Sequence, residues 1–220
     1  MNESANIMVD NRLLNLKDEL ISIGRWIDQK GWCPATGGNF SVRLSGTTNQ
    51  DDRCLVTASG YHKGHLNRDQ FIITDLYGVP VDPKATNRPS AETLVHVALY
   101  QLSSTINAVL HIHSIPNTVL SLLEPSNFLI INGLEMQKSL NGINSHEEVV
   151  KLAVFDNTQD MQHLAQQVHQ VWKEQDGLTA GLLVRGHGAY FWGNTVAEAQ
   201  RHLEGLEFML ACMLEFKRLT

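Results

Sequence analysis

A short apolar run that carries two histidines constrains the fold of this chain more than any other segment. Residues 107–113 read Asn-Ala-Val-Leu-His-Ile-His, and a stretch so brief, apolar and rich in β-branched residues predicts a buried strand. Side chains two positions apart on a strand project from the same face. His111 and His113 can therefore contact one ion, while Leu110 and Ile112 face the opposite layer.

A third histidine, His187, lies between two glycines shortly after another apolar run, residues 182–184, ends. Flanking glycines allow a sharp turn that brings the imidazole close to a neighbouring strand. Three imidazoles with one open position are typical of catalytic zinc, whereas a structural site is closed by four protein ligands, usually including cysteine. We predict one zinc ion per subunit, bound by His111, His113 and His187.

The composition narrows the class of protein. A length of 220 residues predicts a single domain over 1–220. The net charge of −6 argues against a nucleic-acid or anionic-membrane partner. Three cysteines without CxxC spacing indicate neither a disulfide framework nor a cysteine zinc site. Without a secretion-signal pattern or an apolar run near the ~18 residues of a membrane helix, we expect a cytoplasmic protein.

The order of the predicted elements favours a mixed α/β fold. An apolar stripe predicts a first helix that stops near Gly31, and strands are predicted around 40–44, 54–57 and 71–75. A polar hairpin connection is expected over 45–53, and a later helix is expected to begin at Ser90. Because helices and strands alternate without regular βαβ spacing, we predict a mostly antiparallel central sheet covered by helices.

Three predicted turns combine glycines with short polar side chains, which suits contact with an anion. They lie at residues 36–41, at residues 57–60 and at the start of the helix expected from Ser90, where the backbone dipole favours phosphate. A nearby lysine could add a positive charge. The predicted phosphate contacts are Gly38, Asn39, Ser41, Thr57, Ser59, Gly60, Lys63 and Ser90. Each turn alone is ordinary, but all three beside a zinc motif suggest a phosphorylated substrate.

Two carboxylates are candidates for acid–base catalysis. Glu92 lies in the first turn of its predicted helix, where the macrodipole alone favours a carboxylate. Glu135 lies between the apolar residues Leu134 and Met136, and burial there would raise its pKa towards a range useful for proton transfer. The sequence favours Glu135 without eliminating Glu92.

Taken together and in order, these segments resemble the class II aldolase/adducin family of zinc-dependent sugar-phosphate enzymes. The matching segments are 38–41, 57–60, 90–92, 111–113 and 186–188, so the resemblance covers most of the chain. It implies a three-layer α/β/α fold with a mostly antiparallel sheet and zinc on the three histidines. It also implies phosphate contacts from the three turns, a small phosphorylated ketose as substrate, and a homotetramer with active sites near subunit interfaces.

Within the family, residues 59–63, 89–96 and 133–136 are most similar to a branch that dehydrates its sugar phosphate. That similarity implies Glu135 as the acid–base residue, whereas aldolase members use the glutamate at the position of Glu92. One difference is Leu134, where the dehydratases often have glutamine. Aldol cleavage or 4-epimerisation stays open as the alternative reaction. A scaffold without activity, as in adducin-type members, is disfavoured because the three histidines are intact.

Overall fold

The computed structural model describes residues 3–46 and 51–220, with side chains from residue 11 onward. Within this part, one eight-stranded sheet is combined with five α-helices. The helices are α1 Glu3–Gln29, α2 Thr93–Leu102, α3 Ile115–Leu123, α4 Met161–Glu174 and α5 Val196–Leu219. The strands are β1 Asn39–Leu44, β2 Arg53–Thr57, β3 Phe71–Thr74, β4 Ala108–Ile112, β5 Phe128–Ile131, β6 Val150–Phe155, β7 Gly181–Val184 and β8 Gly188–Gly193. Two 3₁₀ turns are Lys63–His65 and Glu135–Ser139.

The strands follow the order β3-β2-β1-β4-β8-β7-β6-β5. In the described chain every neighbouring pair is antiparallel except β6 and β7, which confirms the mostly antiparallel prediction. Strand β4, which contains His111 and ends one residue before His113, lies between β1 and β8, and His111 is paired with Asn39 on one side and Tyr190 on the other. The predicted metal ligand His111 therefore lies on a central strand of the sheet.

Two apolar cores cover the two faces of the sheet. On one face, side chains of α1, α3 and α5 such as Leu20, Leu120 and Leu206 pack together and are fully buried. On the other face, α2 and α4 supply Leu99 and Leu164, which are also fully buried. The three-layer α/β/α prediction is therefore confirmed.

The predicted start of the helix at Ser90 is wrong, because α2 begins at Thr93. Pro89 forms an antiparallel bridge with Ala58, so the chain enters this region extended. A turn follows, in which the backbone N–H of Thr93 donates to the carbonyl of Ser90 over 3.0 Å. Ser90 therefore lies in the turn before the helix.

Two other local predictions have different outcomes. The first helix ends at Gln29, and Gly31 has a left-handed φ of 71°, as expected for a residue that stops a helix. The predicted hairpin connection over 45–53 includes residues 47–50, which lie outside the described residues.

In the part that is described, no helix is both long and apolar enough to cross a lipid bilayer.

Candidate metal centre

The three predicted metal ligands meet at the end of β4. One ligand atom from each of Glu92, His111, His113 and His187 lies within 4.8 Å of the other three. The Nε2 atoms of His111 and His113 are 2.9 Å apart, as expected for two side chains on the same face of a strand. His187 comes from the tight turn between β7 and β8, and its ring centroid is 5.1 Å from that of His111.

The tautomer of His111 and the neutral state of His113 fit a metal ion. The Nδ1 atom of His111 lies 2.9 Å from the carbonyl oxygen of Ala189. Because a carbonyl only accepts, Nδ1 carries the proton, and the lone pair of neutral His111 is on Nε2, facing the cluster. Burial lowers the pKa of His113 to about 3, with a further contribution from His111 and His187. A neutral imidazole is the form that binds a metal.

Glu92 is the carboxylate of the cluster. Its Oε1 lies 2.8 Å from Nε2 of His187 and 3.6 Å from Nε2 of His111. Desolvation raises the pKa of Glu92, but the interactions with His111 and His187 outweigh it and leave the pKa well below its usual range. The side chain is therefore ionised and can act as a metal ligand or as a base.

Two of the three predicted anion-binding turns contact Glu92, and the third lies beside the segment that leads to it. Its Oε2 accepts hydrogen bonds from Asn39 Nδ2 over 2.5 Å and from Ser90 Oγ over 3.1 Å. The turn with Ser59 and Gly60 is held beside the same segment, because the N–H of Ser59 donates to the carbonyl of Arg88 over 2.9 Å. Ser59 and Gly60 are exposed and Ser90 is half-buried, so these positions are accessible.

Gly38 is close to the ligands because it has no side chain. A Cβ atom at Gly38 would lie 2.6 Å from both the carbonyl oxygen of His111 and Sγ of Cys33. Its φ of 75° is also in the region that favours glycine. The backbone at Gly38 therefore approaches β4 closely, and a phosphate contact from Gly38 stays a prediction.

Five residues of the predicted phosphate set are buried, and for Ser41 and Thr57 the side-chain hydroxyl is also engaged within the protein. Ser41 is fully buried, and its hydroxyl lies 2.7 Å from His96 Nδ1 and 2.6 Å from Tyr100 Oη. Thr57 is also fully buried, and its hydroxyl accepts a hydrogen bond from the N–H of Phe40. The Ser41 hydroxyl thus joins β1 to α2, and the Thr57 hydroxyl joins β2 to β1. Phosphate contacts from these two residues stay predictions.

Lys63 is buried beside the Thr36 turn. Its side chain is 1% exposed, and Nζ donates to the carbonyl oxygens of Thr36 over 2.9 Å and Tyr61 over 2.7 Å. Burial lowers its pKa. Lys63 holds the Thr36 turn through its hydrogen bond to the Thr36 carbonyl. A direct phosphate contact from Lys63 stays a prediction.

The expected environment of Glu135 is wrong. Its side chain is 69% exposed in the Glu135–Ser139 turn, 2.5 Å from Lys138 Nζ and 3.6 Å from His146 Nδ1. The hydrogen bond and charge of Lys138 lower its pKa, opposite to the predicted increase. The apolar neighbours in sequence did not bury it, because Leu134 packs inward while Glu135 points outward. Glu135 is not in the four-residue cluster, and its catalytic role stays a prediction.

Sequence reasoning missed Tyr190, which stacks on His111 with ring centroids 4.1 Å apart and an angle of 16° between the planes. His96 packs edge-on against Tyr190, with centroids 5.6 Å apart. These aromatic contacts fix the plane of the His111 ring from the β8 side. The alternation along β8 indicates that Tyr190 shares a face with Trp192, but only the register with β4 places it at His111.

Comparison with known proteins agrees with this geometry. The profile of the Class II Aldolase and Adducin N-terminal domain matches residues 18–214. The chain belongs to this family. Its match extends from α1 into α5 and so includes the whole described sheet.

Two curated relatives are similar over nearly their full length. A methylthioribulose-1-phosphate dehydratase from Yersinia enterocolitica is 50% identical over 196 residues, which cover 89% of this chain and 90% of the relative. A protein of the same name from Pectobacterium atrosepticum is 48% identical over 208 residues, which cover 94% and 96%.

Solved structures of aldolases share the fold. An L-fuculose 1-phosphate aldolase superposes with a TM-score of 0.74 at 21% identity, over 93% of this chain and 87% of the other. The L-fuculose-1-phosphate aldolase from Thermus thermophilus superposes with a TM-score of 0.71 at 25% identity, over 93% and 94%. The fold is therefore shared with enzymes that bear a different name from that of the curated relatives.

Proposed function

We propose that this protein is a zinc-dependent methylthioribulose-1-phosphate dehydratase of the methionine salvage pathway. The observation that carries the proposal is the convergence of His111, His113 and His187 beside Glu92, in a chain about half identical to enzymes of that name. The product would be 5-methylthio-2,3-dioxopentyl 1-phosphate. Residues 1–220 would act as one class II aldolase-like domain, since every member of the described cluster lies in a strand of one sheet or in a segment that directly adjoins the sheet or α2.

The three imidazoles fit zinc, because His111 already has its Nε2 lone pair directed at the cluster and His113 is neutral. Glu92 could complete the ligand set or give way to the substrate. When bound, the ion would act as a Lewis acid that stabilises negative charge on the substrate carbonyl oxygen.

The reaction removes one proton and one hydroxide. A base takes the proton from carbon 3, the hydroxyl group on carbon 4 leaves as water after protonation, and tautomerisation gives the 2,3-diketone. We propose Glu135 as the base, on the similarity of residues 133–136 to dehydratases. Its carboxylate is ionised at neutral pH, although Lys138 lowers its pKa and so makes it a weaker base than a buried carboxylate would be. Because its side chain is exposed, a second subunit of the proposed homotetramer could present it to this centre.

The phosphate would be bound at the exposed residues Ser59 and Gly60 and at the half-buried Ser90, and the buried residues Gly38, Asn39 and Lys63 would contribute from within the protein. Ser59 and Gly60 lie beside the segment that leads to Ser90, and Asn39 is fixed by Glu92. Gly38 brings the backbone of the first turn next to His111. Lys63 supplies positive charge beneath the Thr36 turn. A small phosphorylated ketose is thus the proposed substrate class, with no nucleic-acid or membrane partner.

One observation favours a second candidate, a class II sugar-phosphate aldolase or 4-epimerase. Glu92, which occupies the position of the aldolase acid–base residue, is in contact distance of His187. In an aldolase the same kind of site would break the bond between carbons 3 and 4.

Product analysis separates the two reactions. The zinc-loaded protein would be incubated with methylthioribulose 1-phosphate, and the products would be identified by mass spectrometry. We expect loss of one water with the carbon chain intact. Formation of dihydroxyacetone phosphate would establish aldol cleavage. An unchanged mass in a protein shown to hold its metal would refute both dehydration and aldol cleavage of this sugar.

A further inference from the structure

We propose that Asp28, His62 and His65 form a second site for a divalent metal ion of the zinc class, separate from the three-histidine centre. One ligand atom from each of the three residues lies within 4.8 Å of the other two. Asp28 is in the last turn of α1, and the two histidines lie before and at the end of the Lys63–His65 turn. Imidazole nitrogens with one carboxylate oxygen are ligands that zinc accepts.

The ligand atoms are close to the spacing that a zinc ion requires. Asp28 Oδ1 lies 3.7 Å from His62 Nε2, and the ring centroids of His62 and His65 are 4.7 Å apart. Zinc bonds of about 2.0–2.1 Å in a tetrahedral arrangement place neighbouring ligand atoms roughly 3.3–3.5 Å apart. Small side-chain rotations would therefore complete the site.

Gly64, between the two histidines, makes the approach of the carboxylate possible. A Cβ atom at this position would lie 2.2 Å from Asp28 Oδ2 and 2.5 Å from Asp28 Cγ. Only glycine lets Asp28 reach this close to the turn. Among the described residues, no group donates a hydrogen bond to the Asp28 carboxylate, and His62 is its ion-pair neighbour. The carboxylate thus faces two imidazoles with acceptor capacity unused.

The tautomer of His62 predicts that the second site binds zinc more weakly than the three-histidine centre does. The N–H of Gly64 donates to His62 Nδ1 over 3.3 Å, so a neutral ring carries its proton on Nε2, the atom that faces Asp28. Metal binding at Nε2 must move that proton to Nδ1 and break the Gly64 contact. His111 already has the tautomer that binds through Nε2. The second site should therefore load after the three-histidine centre.

The second site lies on the turn that holds Lys63, and Lys63 in turn contacts the Thr36 turn beside the three-histidine centre. Lys63, which lies between the two histidines in sequence, is buried and donates to the carbonyl oxygen of Thr36. A metal ion on Asp28, His62 and His65 would fasten the turn that holds Lys63 to the end of α1. Occupancy would thus stabilise the support of the Thr36 turn without touching the three-histidine centre.

Metal titration tests the site without relying on activity. Metal-stripped wild-type protein would be titrated with zinc alone, and bound zinc would be measured by elemental analysis after dialysis. We expect two equivalents per chain, the second bound more weakly. Asp28→Asn and His65→Gln should each retain the first equivalent and weaken the second at least about tenfold, the lower end of what loss of a metal-site partner costs. His163→Gln, which changes an exposed histidine of α4, should bind as wild type.

A variant of the first centre separates the two sites. His113→Gln should lose the tighter equivalent and retain the weaker one. One equivalent in the wild type that neither Asp28→Asn nor His65→Gln affects would overturn the proposal. It would also fall if His113→Gln abolished both equivalents, because both ions would then belong to the three-histidine centre. Circular dichroism of each variant would establish that the comparison is between folded proteins.

Discussion

The Glu92 carboxylate lies 2.8 Å from the His187 ring, although the two residues are 95 positions apart in the sequence. The contact joins the turn before α2 to the turn between β7 and β8, and it places an ionised carboxylate inside the proposed ligand set. Removal of either partner would leave the other with a polar group in a largely enclosed site, where unpaired groups are costly. This pair therefore links metal binding to the choice of acid–base residue.

Replacement of a metal-ligating histidine should remove the metal. His113→Gln eliminates one of the imidazoles whose Nε2 atoms are 2.9 Å apart, so we expect the tight zinc equivalent to be lost and activity to fall with it. Elemental analysis of dialysed protein measures this directly, and His163→Gln serves as the control. Full zinc occupancy in both His111→Gln and His113→Gln would refute the proposed centre.

The two candidate carboxylates should differ in what their loss does. Glu135→Gln should reduce kcat by about 10²–10⁴-fold with zinc retained, the usual contribution of general acid–base catalysis. Glu92→Gln should reduce kcat much less, and any loss should be accompanied by weaker zinc binding because Glu92 contacts His187. Steady-state kinetics with parallel zinc analysis distinguish the two. A large loss of kcat in Glu92→Gln, together with a nearly unchanged kcat in Glu135→Gln, would reverse the assignment of the acid–base residue.

Mixed oligomers test whether Glu135 acts across a subunit boundary. We expect inactive Glu135→Gln subunits and inactive His113→Gln subunits to regain activity when they are unfolded together and refolded as a mixture. Some hybrids would then combine intact histidines from one subunit with an intact Glu135 from its neighbour. No recovery in hybrids that size and mass analysis show to have formed would mean that Glu135 does not serve a neighbouring centre.

Glu207 should make stability depend on pH. It is 2% exposed in α5, accepts a hydrogen bond from Asn117 Nδ2 over 2.9 Å, and has no partner for Oε2 among the described residues. Desolvation raises its pKa from 4.5 to about 7, against the opposing hydrogen bonds of Ser114 and Asn117. The folded state therefore binds this proton more tightly than the unfolded state. Its contribution is complete below the unfolded pKa of 4.5 and is lost as pH rises through about 7.

The corresponding measurement is urea unfolding across this pH range. In zinc-saturated protein, Glu207→Gln should remove a pH-dependent loss of roughly 3 kcal/mol, from a shift of about 2.5 pKa units. Glu204→Gln, at an exposed position of the same helix, should keep the wild-type slope. If the free energy of unfolding depended on pH in the same way in wild type and Glu207→Gln, the assignment of this dependence to Glu207 would be wrong.

An alanine at Gly38 should destabilise the protein and displace the Thr36 turn. The added Cβ would lie 2.6 Å from both Cys33 Sγ and the His111 carbonyl oxygen, at a φ of 75°. We expect the free energy of unfolding to fall by about 2–4 kcal/mol, from backbone strain together with overpacking. Gly142→Ala is the matched control, because Gly142 has a φ of 80° but nothing within 4 Å of its added Cβ. Equal losses of unfolding free energy in Gly38→Ala and Gly142→Ala would show that the close approach of Gly38 to β4 adds nothing to the cost of the substitution.

Local patterns in the sequence were sufficient for much of the fold. The strand with His111 and His113, the stop of α1 at Gly31 and the mostly antiparallel sheet all follow from side-chain periodicity and glycine positions. The start of α2 did not follow, because the bridge between Ala58 and Pro89 keeps the chain extended past the expected N-cap. That bridge joins segments about thirty residues apart, and local pattern carries no information about it.

The sequence by itself determined the chemical types: three imidazoles, two candidate carboxylates and three glycine-containing turns. Only the tertiary structure decided which of them are accessible and which meet. Strand pairing buried Ser41 and Thr57, packing enclosed Lys63, and the 3₁₀ turn left Glu135 in solvent. The pairing of β4 with β1 and β8 brought Asn39 and Tyr190 beside His111. The physical reason is that burial and proximity depend on contacts between residues distant in sequence, whereas residue chemistry and backbone preference are local properties.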